Sequence, residues 1–134
     1  MPRNLSTFIP TSKYDTDKAE RLVAFGYPMI EPVLEEMFEW IQDENWPVAR
    51  VFMPFLATIG APLVPLVRHV LQSQDEQWKR AVLGNLVNGS KALAQALSVD
   101  LQRLINSPTT AETEEGLNAM ADELFRKFCG SDIA

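Results

Sequence analysis

Apolar residues recur along most of the chain with the spacing of an α-helix, and no segment shows the sustained alternation of a strand. The clearest example is the stretch 28–42, where apolar residues at i, i+3, i+4, i+7, i+8 and i+11 form one continuous stripe. Its members are Ile30, Val33, Leu34, Met37, Phe38 and Ile41. The pattern predicts an all-α fold with the stripes of its helices facing a common core.

Glycine and proline divide the apolar pattern into about seven helices. Helices should end at glycines such as Gly26 and Gly60 and begin at prolines such as Pro28 and Pro62. The predicted helices span residues 16–25, 28–42, about 46–59, a stretch that starts at 62, 75–88, 90–106 and 110–129. We expect residues 1–14 to be extended and residues 130–134 to be a disordered tail, so that 1–134 forms a single domain.

Two stretches of the chain occur twice. The first pair is Gly26-Tyr27-Pro28 and Gly60-Ala61-Pro62, and the second is DENW at 43–46 and DEQW at 75–78. A period in the low thirties with two helices per unit is typical of an α-solenoid, which predicts a HEAT-like α-α superhelix. At the repeated corner we expect one pair of residues to cap the incoming helices, Asn45 and Asp75. We expect a second pair to pack the hairpins together, Trp46 and Trp78.

A resemblance to a known family lies in four short stretches: KYDT at 13–16, AERL at 19–22, GY at 26–27 and NWPVA at 45–49. On these stretches the chain resembles a small bacterial family of HEAT-like proteins, domain of unknown function DUF5071, over about residues 8–128. The resemblance implies a curved all-α fold. It brings no catalytic residue and no reaction with it.

The charge of the chain narrows the classes of partner. With 18 acidic and 12 basic residues among 134, the formal net charge is −6. Such a chain repels phosphate backbones, so we expect no nucleic-acid partner, whereas a basic protein is attracted.

Three features predict the compartment. The single cysteine, Cys129, excludes an internal disulfide and fits a reducing environment, and the N-terminal residues lack the apolar core of a signal peptide. Residues 51–67 carry no charge but are interrupted by Pro54, Gly60, Pro62 and Pro65. They predict two buried helices that meet at a turn and no membrane span. The predicted location is the cytoplasm.

The residues that usually carry catalysis are scarce. His69 is the only histidine and is far in sequence from Cys129, which predicts no metal site, and no glycine-rich phosphate loop occurs. No strand–turn–helix elbow presents a serine to a base. We therefore predict that the protein is not an enzyme and has no catalytic residue and no cofactor.

Acidic residues follow the predicted helix 28–42 at intervals of four. Glu31, Glu35, Glu39 and Asp43 should form an acidic ridge opposite the apolar stripe, with Trp40 at its edge, and residues 31–44 contain no base. One interpretation is a solvated face that confers solubility. The other is a docking surface for a basic protein, with Trp40 as an interface anchor.

The leading hypothesis is a non-catalytic protein-interaction module, for example an immunity protein, an inhibitor or an adaptor for a basic protein. One alternative is a glycosylase-like enzyme on a helical-repeat scaffold that acts on nucleic acid. That alternative requires dispersed bases to converge beside Asp75 or Asp100, among them Arg50, Lys79, Arg80 and Arg103. A further alternative is a structural module that associates with itself.

Overall fold

The computed structural model describes residues 5–130, and all of the regular structure in that range is helical. The all-α prediction is confirmed. Short 3₁₀ helices lie at Leu5–Phe8, Glu31–Val33 and Ala61–Leu63, and a π-helix lies at Val82–Val87. The α-helices are α1 (Thr16–Phe25), α2 (Leu34–Glu39), α3 (Pro47–Ile59), α4 (Val64–Leu71), α5 (Glu76–Ala81), α6 (Lys91–Ala96), α7 (Ser98–Asn106), α8 (Thr110–Glu114) and α9 (Leu117–Phe128).

Two of the predicted long helices are each broken into two. The predicted helix 90–106 is interrupted at Leu97, which separates α6 from α7, and the predicted helix 110–129 is interrupted at Gly116, which separates α8 from α9. Gly116 has a φ of 78°, a backbone conformation that glycine adopts without strain. Leu97 is fully buried, so the apolar period continues across the break. The break therefore cannot be recognised from the apolar pattern of the sequence.

The predicted helix 28–42 is shorter than its apolar stripe suggests. Its first part is the 3₁₀ helix Glu31–Val33, where Pro32 has no amide hydrogen to donate to an α-helical bond, and only Leu34–Glu39 is α-helical. After the α-helix, the backbone amides of Trp40 and Ile41 donate to the carbonyl oxygens three residues earlier, those of Met37 and Phe38. Asp43 therefore lies beyond the helix, and the continuous four-residue ridge was predicted wrongly.

The helices enclose one hydrophobic core. Helix α1 packs on α3, α3 packs on the π-helix, the π-helix packs on α9, and α9 packs on α6 and α7. The largest fully buried side chains include Phe38, Phe52, Leu22, Ile30 and Leu86. Helices α1 and α3 and the π-helix thus pack on one another in chain order, while the HEAT-like superhelix stays a prediction.

The two copies of the repeat share their glycines but differ at the corner. Gly26 and Gly60 have φ values of 78° and 76°, and each leads through a proline and a 3₁₀ helix into an α-helix. Asp75 is the N-cap of α5 as predicted, since its Oδ1 accepts a bond of 3.0 Å from the amide of Trp78.

Asn45 is not a helix cap, and that prediction was wrong. Trp46 occupies the N-cap position of α3. The backbone amide of Asn45 donates instead to Oδ1 of Asp43 at 2.8 Å. Pro47 is the first residue of α3, and because proline has no amide hydrogen, one of the groups that a cap would satisfy is missing. The same sequence motif therefore forms two different joints.

The N-terminal segment is not wholly extended as predicted. Leu5–Phe8 forms a 3₁₀ helix because Leu5 is buried and the ring of Phe8 meets that of Phe25 edge to face, with centroids 5.3 Å apart. Residues 1–4 lie outside the described residues, as does most of the predicted tail, 131–134.

No single helix in the described part of the chain is long and apolar enough to cross a membrane. One pair meets the criterion of length and composition only when taken together, Pro47–Ile59 with Ala61–Leu71, and it is bent by 113°. The uncharged stretch 51–67 is thus two helices that meet at Gly60, as predicted.

Because the two corners are built differently, mutations at them should lower the free energy of unfolding by different amounts. Asp75→Ala removes the side-chain acceptor of a helix N-terminus and should lower the free energy of unfolding by about 0.5–2 kcal/mol. Asn45→Ala is the matched control, because the Asn45 side chain makes no hydrogen bond among residues 5–130, and its effect should stay within about 0.5 kcal/mol. Urea unfolding of both variants measures the difference, and equal losses would contradict the assignment of the cap.

Candidate functional site

The segment around α2 carries a surface of unpaired carboxylates. Glu31, Glu35, Glu36 and Glu39 are exposed, and within residues 5–130 none of their carboxylates forms an ion pair or a hydrogen bond. We call these four residues the acidic surface. The opposite side of the same segment is buried in the core through Val33, Leu34, Met37 and Phe38. The core therefore holds the segment in place while its carboxylates face solvent.

Large apolar side chains are exposed immediately before the acidic surface. Tyr27 is 38% exposed and Met29 is 57% exposed; the other exposed large apolar residues of the described range are Tyr14 and Val99. Aromatic residues and methionine are enriched in protein interfaces relative to the remaining surface. Neither residue belongs to the binding set that the sequence predicted.

Trp40 and Asp43, the other members of the predicted binding set, lie in the turn after α2. Trp40 is half-buried, and its ring meets that of Trp46 edge to face with centroids 5.9 Å apart. Asp43 is half-buried and accepts the bond from the amide of Asn45. The role of Trp40 as a partner's anchor stays a prediction. Trp46 and Trp78 differ in their surroundings, because Nε1 of Trp78 is buried without a hydrogen bond in the described part of the chain.

A network of buried charges, which the sequence reasoning missed, joins α5, α7 and α8. Glu112 is 1% exposed and Lys79 is 2% exposed. Nζ of Lys79 lies 2.7 Å from Oε2 of Glu112 and 3.0 Å from Oε2 of Glu76. The guanidinium of Arg103 donates to both carboxylate oxygens of Glu112, at 2.8 and 2.9 Å. We call Glu76, Lys79, Glu112 and Arg103 the buried ion network.

Local structure fixes the carboxylate at the centre of this network. Thr109 and Glu112 form a capping box at the start of α8, in which each side chain accepts a bond from the other residue's amide. The sequence signal for this motif is Thr-x-x-Glu at 109–112. No local signal shows the pairing with Lys79, which lies 33 residues earlier in the chain.

The network changes the acidity of its members. The hydrogen bonds from Arg103 lower the pKa of Glu112 to about 2, with further lowering by Lys79 and by the amide of Thr109, although burial acts in the opposite direction. The pKa of Arg103 is raised, chiefly by its hydrogen bonds to Glu112. Both groups are therefore charged over the whole physiological range of pH.

Ion pairs account for three of the four bases that the nucleic-acid alternative requires, whereas Arg50 is exposed and forms none within residues 5–130. Arg68 makes a two-pronged contact with Asp100, with Nε and Nη2 at 3.1 and 2.9 Å from its oxygens, and Nε of Arg80 lies 3.9 Å from Glu44. Lys79 and Arg103 do come together, as a nucleic-acid enzyme would require, but both bond to Glu112, and neither forms an ion pair with Asp75 or Asp100 within residues 5–130. Their charges are thus already neutralised by carboxylates.

No group of three His, Cys, Asp or Glu residues in the described ranges is placed to hold a metal ion. His69 is exposed on α4, and Cys129 is half-buried at the end of α9 with its Sγ 3.6 Å from the carbonyl oxygen of Ala94. The structure does not bring these two residues into the buried ion network.

Comparison with protein-family models gives one match. Residues 8–125 match the model described as Domain of unknown function (DUF5071). This span is close to the one over which the four sequence stretches resemble that family. No curated protein matches the chain. The description of the family names no activity, so function has to be inferred from the geometry of the residues.

The buried ion network predicts a stability that depends on pH. Because the pKa of Glu112 is lower in the folded protein than its ordinary value of 4.5, the stabilisation is complete above that value and is lost as pH falls towards 2. Glu112→Gln should lower the free energy of unfolding by about 3–5 kcal/mol at pH 7, since it leaves Lys79 and Arg103 with a neutral partner. The gap between the two proteins should narrow in urea unfolding below pH 4.5, and a gap independent of pH would contradict the assignment.

Proposed function

The chain belongs to the DUF5071 family, and we propose that it is a non-catalytic protein-interaction module that binds a basic protein through its acidic surface. Immunity proteins, inhibitors and adaptors are modules of this kind. The observation that supports the proposal most is that four exposed, unpaired carboxylates lie together on one short segment, and that residues 31–44 contain no base. The cytoplasm is the proposed location, because the single cysteine fits a reducing compartment.

Some carboxylates elsewhere in the fold have cationic neighbours, whereas others, such as Glu114 and Glu123, are exposed and form no ion pair within residues 5–130. Asp100 is paired with Arg68, Glu112 with Lys79 and Arg103, and Asp122 with Arg126. The acidic surface has no such neighbour in the described residues, so its share of the net charge of −6 acts outward. Like charges four residues apart on a helix, such as Glu35 and Glu39, cost about 0.2–0.5 kcal/mol per pair. A partner's lysines and arginines would relieve this repulsion.

The apolar residues beside the acidic surface supply the second element of a protein interface. Charge complementarity mainly accelerates encounter and sets specificity, whereas well-packed apolar anchors usually slow dissociation. Tyr27 and Met29 offer exposed apolar area directly before Glu31. A partner that presents basic residues around an apolar contact matches this arrangement.

The enzyme alternative has weaker support. A nucleic-acid enzyme needs cations that are free to contact phosphates. Here Arg68, Lys79 and Arg103 are bonded to carboxylates, and Arg80 lies beside Glu44 and donates to the carbonyl oxygen of Glu115.

Charge reversal tests the acidic surface. A partner captured from the source cell and then purified should bind the double variant Glu35→Lys/Glu39→Lys at least about tenfold more weakly than the wild type at low salt. High salt should reduce this difference, because screening weakens exposed charge pairs. Titration calorimetry at two salt concentrations measures both effects.

The matched control is Glu114→Lys/Glu123→Lys, which makes the same change in net charge at two exposed residues outside the acidic surface. It should bind almost as tightly as the wild type. If both double variants lost affinity equally, only the net charge would matter and the surface would not be the binding site.

Truncation of the apolar anchor should have a different signature. Met29→Ala should raise the dissociation constant by roughly fivefold or more, mainly through faster dissociation, because a buried contact is lost. The salt dependence of binding should stay as in the wild type, since no charge changes. Surface plasmon resonance separates the two rates, and unchanged dissociation would show that Met29 lies outside the interface.

A further inference from the structure

A cleft of about 550 Å³ opens beside the buried ion network, away from the acidic surface in sequence. Its volume lies within the range of small-molecule sites. All four residues of the network line it, together with two glutamines that directly follow α4: Glu76, Lys79, Arg103, Glu112, Gln72 and Gln74. A cleft whose wall carries interacting charged groups is a typical location of a functional site.

The charges along this wall alternate in sign. Glu76 contacts Lys79, Lys79 contacts Glu112, and Glu112 contacts Arg103, so that the formal charges of the network sum to zero. The two middle residues are buried, whereas the side chains at the ends are open to solvent, Glu76 by 21% and Arg103 by 41%. The cleft therefore has at each end one charged side chain that is paired within the network and is still partly open to solvent, anionic at Glu76 and cationic at Arg103.

Hydrogen-bonding capacity remains at both ends. Oε1 of Glu76 and Nε of Arg103 make no hydrogen bond within residues 5–130. The exposed side-chain amides of Gln72 and Gln74 also make none in that range, and each can donate and accept. A ligand of one sign would meet repulsion at one end of the network, whereas a ligand with both signs is attracted at both ends.

We propose that this cleft binds a small zwitterion that carries an ammonium and a carboxylate, of the class of free amino acids and dipeptides. The ammonium lies against the carboxylate of Glu76, and the carboxylate lies against the guanidinium of Arg103. Gln72 and Gln74 bond to the polar remainder of the ligand. Lys79 and Glu112 hold the two end groups in place and stay buried.

Amide NMR titration of the full chain tests the proposal. The probes are single free amino acids, glycylglycine, N-acetylglycine, glycinamide and inorganic phosphate, each up to about 10 mM. At least one zwitterion should shift the amide signals of 72–79 and Arg103 saturably, while the acetylated and amidated probes, which carry one charge each, should bind at least about tenfold more weakly. The amino-acid and dipeptide arms distinguish the two sources of the zwitterion.

Substitutions test whether the ends of the buried ion network bind the zwitterion. Glu76→Gln should weaken the zwitterion's affinity at least about tenfold, and Gln74→Ala should weaken it less. Glu114→Gln is the matched control, because Glu114 is an exposed acid of α8 that does not line the cleft, and it should bind as the wild type does. The amide spectrum of each free variant reports whether it is folded.

Three results would overturn the proposal. They are the absence of saturable shifts with every zwitterion, equal binding of N-acetylglycine or phosphate, and unchanged affinity in folded Glu76→Gln. None of them bears on the acidic surface, which is tested with a protein partner.

Discussion

Glu112 is the only buried residue of α8, a helix of five residues that is too short to be stable by itself. Its carboxylate accepts bonds from Lys79 of α5, from Arg103 of α7 and from the amide of Thr109, and in this way it holds α8 against two other helices. Helix α9 begins directly after α8 and packs on α6, α7 and the π-helix. The C-terminal half of the fold thus adds an ionic contact at α8 to the apolar packing that it shares with the first half.

The apolar pattern of the sequence was sufficient for the all-α class and for the ends of α1 and α3. It was not sufficient for the breaks at Leu97 and Gly116, because the residues on both sides of each break face the same core and keep the helical period. Nor could it show that Lys79 pairs with Glu112, since local periodicity carries no information about contacts 33 residues apart. On α2 the pattern placed Glu31, Glu35 and Glu39 on a surface correctly and extended that surface too far, to Asp43.

The two copies of the repeat show that residues of the same type can have different structural roles. Asp75 caps α5, whereas in the first copy the proline at the start of α3 removes one unsatisfied amide, and Asp43 bonds to the amide of Asn45 instead. Trp46 meets the ring of Trp40, whereas the indole nitrogen of Trp78 is buried without a hydrogen bond in the described residues. The two copies share a glycine with positive φ at Gly26 and Gly60, but they do not share their side-chain contacts at the corner.

The contact between Trp40 and Trp46 has a consequence for the motion of the segment that carries the acidic surface. It clamps the turn between α2 and α3, so the segment is tied to the core at its far end as well as along its buried side. A surface that is fixed both along its buried side and at its end loses little conformational entropy when another molecule binds to it. The indole pair is therefore also an optical reporter inside the protein: a displacement of α2 relative to α3 changes the packing of two fluorophores and with it their emission.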